Sequence, residues 1–155
     1  PRRPVGIVGN SMGGSIALAV ANNDERIVAC CNNGGVIKPS YGRMAGATFF
    51  AKMMAFCGTR DEDEAAAVWD RILPVEAGVN SDYALLVVQG GRDPLVSVEH
   101  GKLLMDQAPV ERKRMEIFSD GDHCIYNHRS DRDILVADWM RDQLTAVTDP
   151  ANRRG

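Results

Sequence analysis

The chain has 155 residues, which suits one domain with a moderate core, and a composition of 45% hydrophobic and 25% charged residues is ordinary for a globular protein. Its formal net charge is -3, with basic residues scattered except at the two ends, which argues against nucleic-acid binding. No apolar run approaches the roughly 18 residues that cross a bilayer, and Pro1-Arg2-Arg3-Pro4 is not followed by a signal-peptide core.

Val5 to Val8, a short and β-branched apolar run, predicts the first strand. It meets Gly9-Asn10-Ser11-Met12-Gly13 and passes straight into an alanine- and leucine-rich helix from Ser11 to about Asn22, stopped by Asn22-Asn23-Asp24. Strand, sharp turn and helix form the setting in which G-x-S-x-G carries a nucleophile. Side chains at Gly9 and Gly13 are expected to collide with neighbouring backbone, and Gly14 to relieve the same crowding. At the start of a helix, the Met12 N–H has no carbonyl partner and could face a developing negative charge. The same stretch also reads as a phosphate cradle or a mere tight connection. The deciding question is whether an acid and then a histidine follow at strand ends.

Arg26 to Cys31 reads as a second strand, and strand, helix, strand in this space implies a parallel βαβ unit. Asn32-Asn33-Gly34-Gly35 breaks the chain at the end where open α/β sheets bind ligands. Residues 38–80 leave the alternation. Met44, Phe49, Phe50, Met53, Met54 and Phe56 crowd one helical stretch, and Asp61-Glu62-Asp63-Glu64 opens a second helix with acids at its positive end. Such a stripe is either core or a helical cap over a pocket; a cap insertion is preferred, because methionine and phenylalanine adapt to apolar ligands.

Tyr83 to Gln89 is the clearest buried strand, and Gly90-Gly91-Arg92-Asp93-Pro94 sets Asp93 just past its carboxyl end. Val96 to Gln107 predicts a helix, Arg114 to Phe118 a strand, and Ser119 to Cys124 a loop containing His123. The last helix is expected over Asp131 to Ala146, with Asp131 as its N-cap and Ile134, Leu135, Ala137, Trp139, Met140 and Leu144 as its apolar face. Residues 149–155 read as a disordered tail. Cys30, Cys31, Cys57 and Cys124 have no zinc-like spacing, and the adjacent pair fits a buried strand, so a reducing, cytoplasmic setting without metal or cofactor is expected.

Ser11, Asp93 and His123 thus follow one another, each in a loop after a strand of one parallel sheet, whose carboxyl ends share a rim. With that order, the chain resembles the C-terminal half of an α/β-hydrolase. Gly9-Asn10-Ser11-Met12-Gly13-Gly14, Gly91-Arg92-Asp93 and Asp120-Gly121-Asp122-His123-Cys124, followed by Asn127 and Ala137-Asp138-Trp139, are similar to the branch that holds 2,6-dihydroxypseudooxynicotine hydrolase and the fungal polyketide chain-shortening hydrolases. Those are serine hydrolases that cleave carbon–carbon bonds beside a ketone.

The resemblance implies a partial α/β-hydrolase fold over residues 1–155, with about four mostly parallel strands, flanking helices and the cap at 38–80. It implies Ser11 as nucleophile, His123 as general base and acid, Asp93 as the residue orienting the imidazole, and Met12 as oxyanion donor. Asn10, Gly35, Phe50 and Met54 are the candidates for the substrate pocket. Asp120 and Asp122 compete with Asp93, and His128 with His123 if the register shifts. His100 is expected on an exposed helix face, and Asp82 and the acids at 61–64 as solvated charge. A second oxyanion donor and earlier strands, usual in this fold, do not precede Val5, so the reading is of a fragment whose first strand exposes an open edge. The expected partner is a small-molecule substrate, with a homodimer left open and neither nucleic acid nor membrane involved. Two other readings stay open: a peptidase of the prolyl-oligopeptidase type, and a catalytically incompetent fragment or binding module.

Overall fold

The computed structural model describes residues 3–36, 47–72 and 78–148. The apolar runs form one parallel sheet in the order β1 (Val5–Asn10), β2 (Ile27–Asn33), β3 (Ala84–Gly90) and β4 (Lys113–Phe118). Around it lie α1 (Met12–Asn23), α2 (Ala47–Cys57), α3 (Glu62–Ile72), α4 (Val98–Gln107) and α5 (Arg129–Thr148). Parallel strands buried on both faces read as continuous apolar runs, and β2 and β3 are buried along nearly their whole length.

The period-two alternation of strand side chains divides the core. Cys30, Leu85 and Val87 meet Leu18 and Ala21 of α1 and Leu104 of α4 on one face. Ala29, Cys31, Leu86 and Val88 meet Val136, Trp139 and Met140 of α5 on the other. Burial holds Cys30 firmly as a thiol and pushes the Cys31 thiol up to about 12, so both behave as small hydrophobes.

A polar cluster locks the end of the strands away from the candidate site. Asn80 donates from its side chain to the carbonyls of Ala21, Asp24 and Ile27 at 2.9, 2.9 and 3.0 Å, and Tyr83 donates its hydroxyl to Asn22. The α2–α3 pair packs through Met53, Ala65 and Ala66, with Met54 and Ala19 of α1 against them. Asp61 caps α3 by accepting the Glu64 N–H at 2.8 Å, so this acid has a local task besides solvation.

Several sequence expectations need correction. The last helix begins at Arg129, and Asp131 lies inside its first turn, because a 3-10 turn over His123–His128 runs directly into it and supplies its start. Its buried face is Arg132, Val136, Trp139 and Met140, whereas Ile134 is 61% exposed and Ala137 is exposed too. His100 is buried at 4% exposure, since α4 turns His100, Gly101 and Leu104 toward the sheet. Phe56 is 79% exposed and does not join the apolar packing of α2. Met44, and the tail at 149–155, lie outside the described residues. No helix among the described residues is long and apolar enough to cross a membrane.

Candidate active site

The strand-to-helix connection at Ser11 is a single residue. Ser11 has φ 53° and ψ -128°, a conformation that costs a non-glycine residue on the order of 1–3 kcal/mol. Its N–H is anchored on the Asn33 carbonyl at 2.8 Å, which holds the turn against the end of β2. The chain can turn this sharply because Gly9 lacks a side chain: a Cβ there would lie 2.0 Å from the Gly13 carbonyl oxygen. Crowding is directional, and the collision expected at Gly13 does not occur, since a Cβ at Gly13 would meet no atom within 4 Å. At Gly14 a Cβ would press on the Asn32 amide at 3.0 Å. Met12 opens α1, so its N–H lies among the helix donors that have no carbonyl within the helix.

Asp93 sits beyond β3 in a turn that its own carboxylate builds. Its Oδ1 accepts the N–H groups of Leu95 and Val96 at 2.8 and 2.9 Å. The turn is fixed to the next loop by Gly91 N–H on the Phe118 carbonyl and Arg92 N–H on the Gly121 carbonyl. Gly90 allows that approach, because a Cβ there would stand 2.3 Å from the Asp122 carbonyl oxygen.

His123 bridges the two. Its Nδ1 is 2.8 Å from Asp93 Oδ2 and its Nε2 is 2.9 Å from Ser11 Oγ. In the neutral ring the carboxylate on Nδ1 keeps the proton on that nitrogen, and Nε2 is then the atom that accepts from the serine hydroxyl. The hydrogen bond that the ring donates to Asp93, helped by one with Cys124, pushes the imidazole up to about 10 against the opposing effect of burial. Burial alone would raise Asp93, but the bonds from His123, Val96 and Leu95 together hold its carboxyl below the usual range.

The other candidates have separate partners. Asp120 pairs with His128 Nε2 at 3.0 Å, and Asp122 exchanges hydrogen bonds with Asn127, so both shape the loop around His123. Gly35 lies beside the serine: a Cβ there would meet the Ser11 carbonyl at 2.7 Å, and its N–H donates to Asn32 Oδ1. Asn10 faces the α5 side, accepts from Asn33 Nδ2 at 2.8 Å and lines a groove of about 360 Å³ that includes neither Ser11 nor His123. Met54 packs in the α2–α3 cluster, and the side chain of Phe50 lies outside the described residues.

Three participants were not singled out from sequence. Gln89, buried at the end of β3, donates to the Val96 carbonyl at 2.6 Å and lies 3.4 Å from Asp93 Oδ2. Asn33 holds the Ser11 N–H with its carbonyl and reaches the Cys124 carbonyl with its side chain. Arg132 reaches the same carbonyl from α5. Gln89 and Asn33 are marked in sequence only as polar residues ending an apolar run, and Arg132, set among the charges of residues 129–133, carries no signal at all. Among the described residues no three His, Cys, Asp or Glu side chains converge as metal ligands would.

The sequence pattern of the prolyl oligopeptidase family matches residues 2–146. The chain belongs to the prolyl oligopeptidase family. Within the wider α/β-hydrolase fold to which that family belongs, it is 27% identical over 146 residues to the 2,6-dihydropseudooxynicotine hydrolase of Paenarthrobacter nicotinovorans, covering 92% of this chain and 39% of that one. The crystal structure of the 2,6-dihydroxy-pseudo-oxynicotine hydrolase superposes with a TM-score of 0.74 at 25% identity, over 94% of this chain and 42% of the other. An esterase of Pyrococcus furiosus shares the fold with a TM-score of 0.63 at 16% identity, over 91% and 55%. These relatives and fold neighbours are hydrolases, and the chain spans about two fifths of the length of the first.

Proposed function

We propose that this member of the prolyl oligopeptidase family carries the nucleophile, acid and base of a serine hydrolase acting on a small carbonyl compound. The reading rests on the continuous contact from Asp93 through His123 to Ser11, at 2.8 and 2.9 Å, in residues up to 112 apart in sequence. Ser11 Oγ attacks the carbonyl carbon as its proton passes to His123 Nε2, and Asp93 balances the imidazolium. The carbonyl oxygen becomes an oxyanion within reach of the Met12 N–H, a kind of donor worth roughly 2.7–4 kcal/mol. Collapse breaks the bond to the leaving group, which takes the proton from His123. Water, deprotonated by the same imidazole, then attacks the acyl-serine and releases the acid.

For the leaving group, the preferred reading is the carbon of a ketone or activated ring, with ester cleavage running through the same steps. The similarity to a pseudooxynicotine hydrolase supports the carbon–carbon reading. The family match favours a second reading, an amide substrate cleaved as a peptidase would. The α2–α3 pair, inserted between β2 and β3, is proposed as the cap over the substrate. Four free cysteines, three of them buried, support a reducing cytoplasmic location.

A fluorophosphonate probe tests the chemistry. The wild-type chain should be labelled at Ser11 and the Ser11→Ala variant should not; equal labelling of the two overturns the proposal by placing the reactive nucleophile elsewhere, and labelling of neither leaves a binding module. Release of acid from 1,3-diketones, phenyl esters or prolyl peptides then divides the substrate classes.

A further inference from the structure

We infer that Arg132, acting through the Cys124 carbonyl, is a positioning residue that holds His123 in line with Ser11. The inference rests on the Ser11–His123–Asp93 reading and deepens it. Immediately after His123 the backbone takes a left-handed conformation at two successive residues, Cys124 (φ 56°) and Ile125 (φ 55°). Neither is glycine, and the second is β-branched, the kind of residue for which this region is least favourable. Such a conformation persists only where the surroundings over-determine it.

Those surroundings converge on one atom. The Cys124 carbonyl accepts from Arg132 Nη1 at 2.6 Å and from Asn33 Nδ2 at 3.2 Å, and the Cys124 thiol reaches the Asn33 carbonyl at 3.6 Å. Asn33 divides its two amide N–H donors between Asn10 at 2.8 Å and the Cys124 carbonyl at 3.2 Å, so the shorter, charge-assisted bond to that carbonyl is the one from Arg132. Arg132 is rigidly placed: it shares a buried face of α5 with Val136, Trp139 and Met140, and its guanidinium is bound by Asp133 through Nε and Nη2. Tyr126, in the same turn, lies with its ring 5.6 Å from the guanidinium carbon.

A guanidinium with side-chain exposure of only 6% is a costly choice for helix packing, which an apolar residue would satisfy as well. Its use here follows from geometry: it is a long, planar donor that can hold a carbonyl on one side and a carboxylate on the other. Without it the peptide after His123 is free to relax to right-handed backbone, and the imidazole, one residue away, turns off the serine.

The test uses the full-length protein with Arg132→Met and Arg132→Lys, compared by fluorophosphonate labelling and by steady-state ester hydrolysis. For Arg132→Met, labelling rate and kcat should fall roughly 100-fold, the loss expected of a small misplacement, with KM nearly unchanged. The pH limb set by the imidazole should move from its raised position toward 6.5. Arg132→Lys should fall between the two. Adding Cys124→Gly to Arg132→Met, so that left-handed backbone is no longer strained, should restore at least part of the rate. A lower melting temperature with wild-type rate and pH limb would overturn the inference, as would a double variant that recovers nothing. If Arg132→Met does not fold, Arg132→Lys alone and combined with Cys124→Gly carries the same comparison. Labelling of Ser11→Ala at the wild-type rate would instead sink the underlying triad reading.

Discussion

Asp93 does two things with one carboxylate, since Oδ1 closes its own turn and Oδ2 meets His123. Raising the imidazole to about 10 has opposite consequences for activity and stability. A general base must be neutral, so kcat/KM should climb with pH along a limb displaced above 6.5 toward 10. Stability runs the other way. The pair's contribution from His123 is complete below pH 6.5 and is lost as pH rises through about 10. Asp93, held low, contributes above its unfolded value of 3.8 and loses that contribution as pH falls. Replacing Asp93 by Asn should cut kcat roughly ten-thousand-fold through the wrong tautomer. It should also bring the limb back toward the ordinary imidazole value. A pH–rate profile of both proteins checks the two effects, and an unmoved limb in Asp93→Asn would show that this carboxylate does not set the imidazole.

At the scale of elements, the turn from α1 into β2 is held from a distance by Asn80. One amide with two N–H donors serves three carbonyls, so its removal leaves buried acceptors unpaired. Asn80→Ala should lower stability by about 2–3 kcal/mol in urea unfolding while kcat is preserved, because this cluster sits at the opposite end of the strands from Ser11. The contrast explains what could be read from the sequence. The strands, and the places of Ser11, Asp93 and His123 at their ends, were legible because apolar runs and glycine-marked turns are local signals. Neither Asn80 nor Asn33 was, since each draws its role from partners far along the chain. The start of α5 was missed for a related reason: its first turn grows from a 3-10 segment with left-handed residues that no propensity encodes. His100 was placed outside because a histidine on a polar-looking helix gives no hint that Ser97 accepts or donates at its Nδ1 beneath the surface. Of the proposed pocket residues, Gly35 packs against the Ser11 carbonyl, whereas Asn10 turns to the α5 side and Met54 joins the α2–α3 cluster, because pocket walls are set by how elements pack rather than by any spacing in sequence.

The whole molecule is asymmetric across its sheet. β4 carries Lys113, Arg114 and Glu116, charges of the kind that blunt an outer strand. β1 has none: among the described residues it pairs only with β2, and Val5 and Val8 are 42% and 51% exposed. Val8 also opens onto the groove that Val136 and Met140 line with Asn10 and Asn33. An unpaired, uncharged strand with exposed valines is a template for another strand, so residues 1–155 expressed alone should self-associate in the micromolar range. A lysine at Val8 should suppress that association, seen as a lower weight-average mass by light scattering, because it places charge on the surface that must be dried. In a longer polypeptide that covers this edge the same substitution acts on a buried position, and should destabilise the fold instead. A monomer at high concentration, unaffected by Val8→Lys, would show that the exposed strand is not the associating surface. The site is sensitive to this edge, since β1 ends at Asn10 and the next residue is the serine; disorder spreading from the strand would reach the Ser11 turn before any other part of the rim.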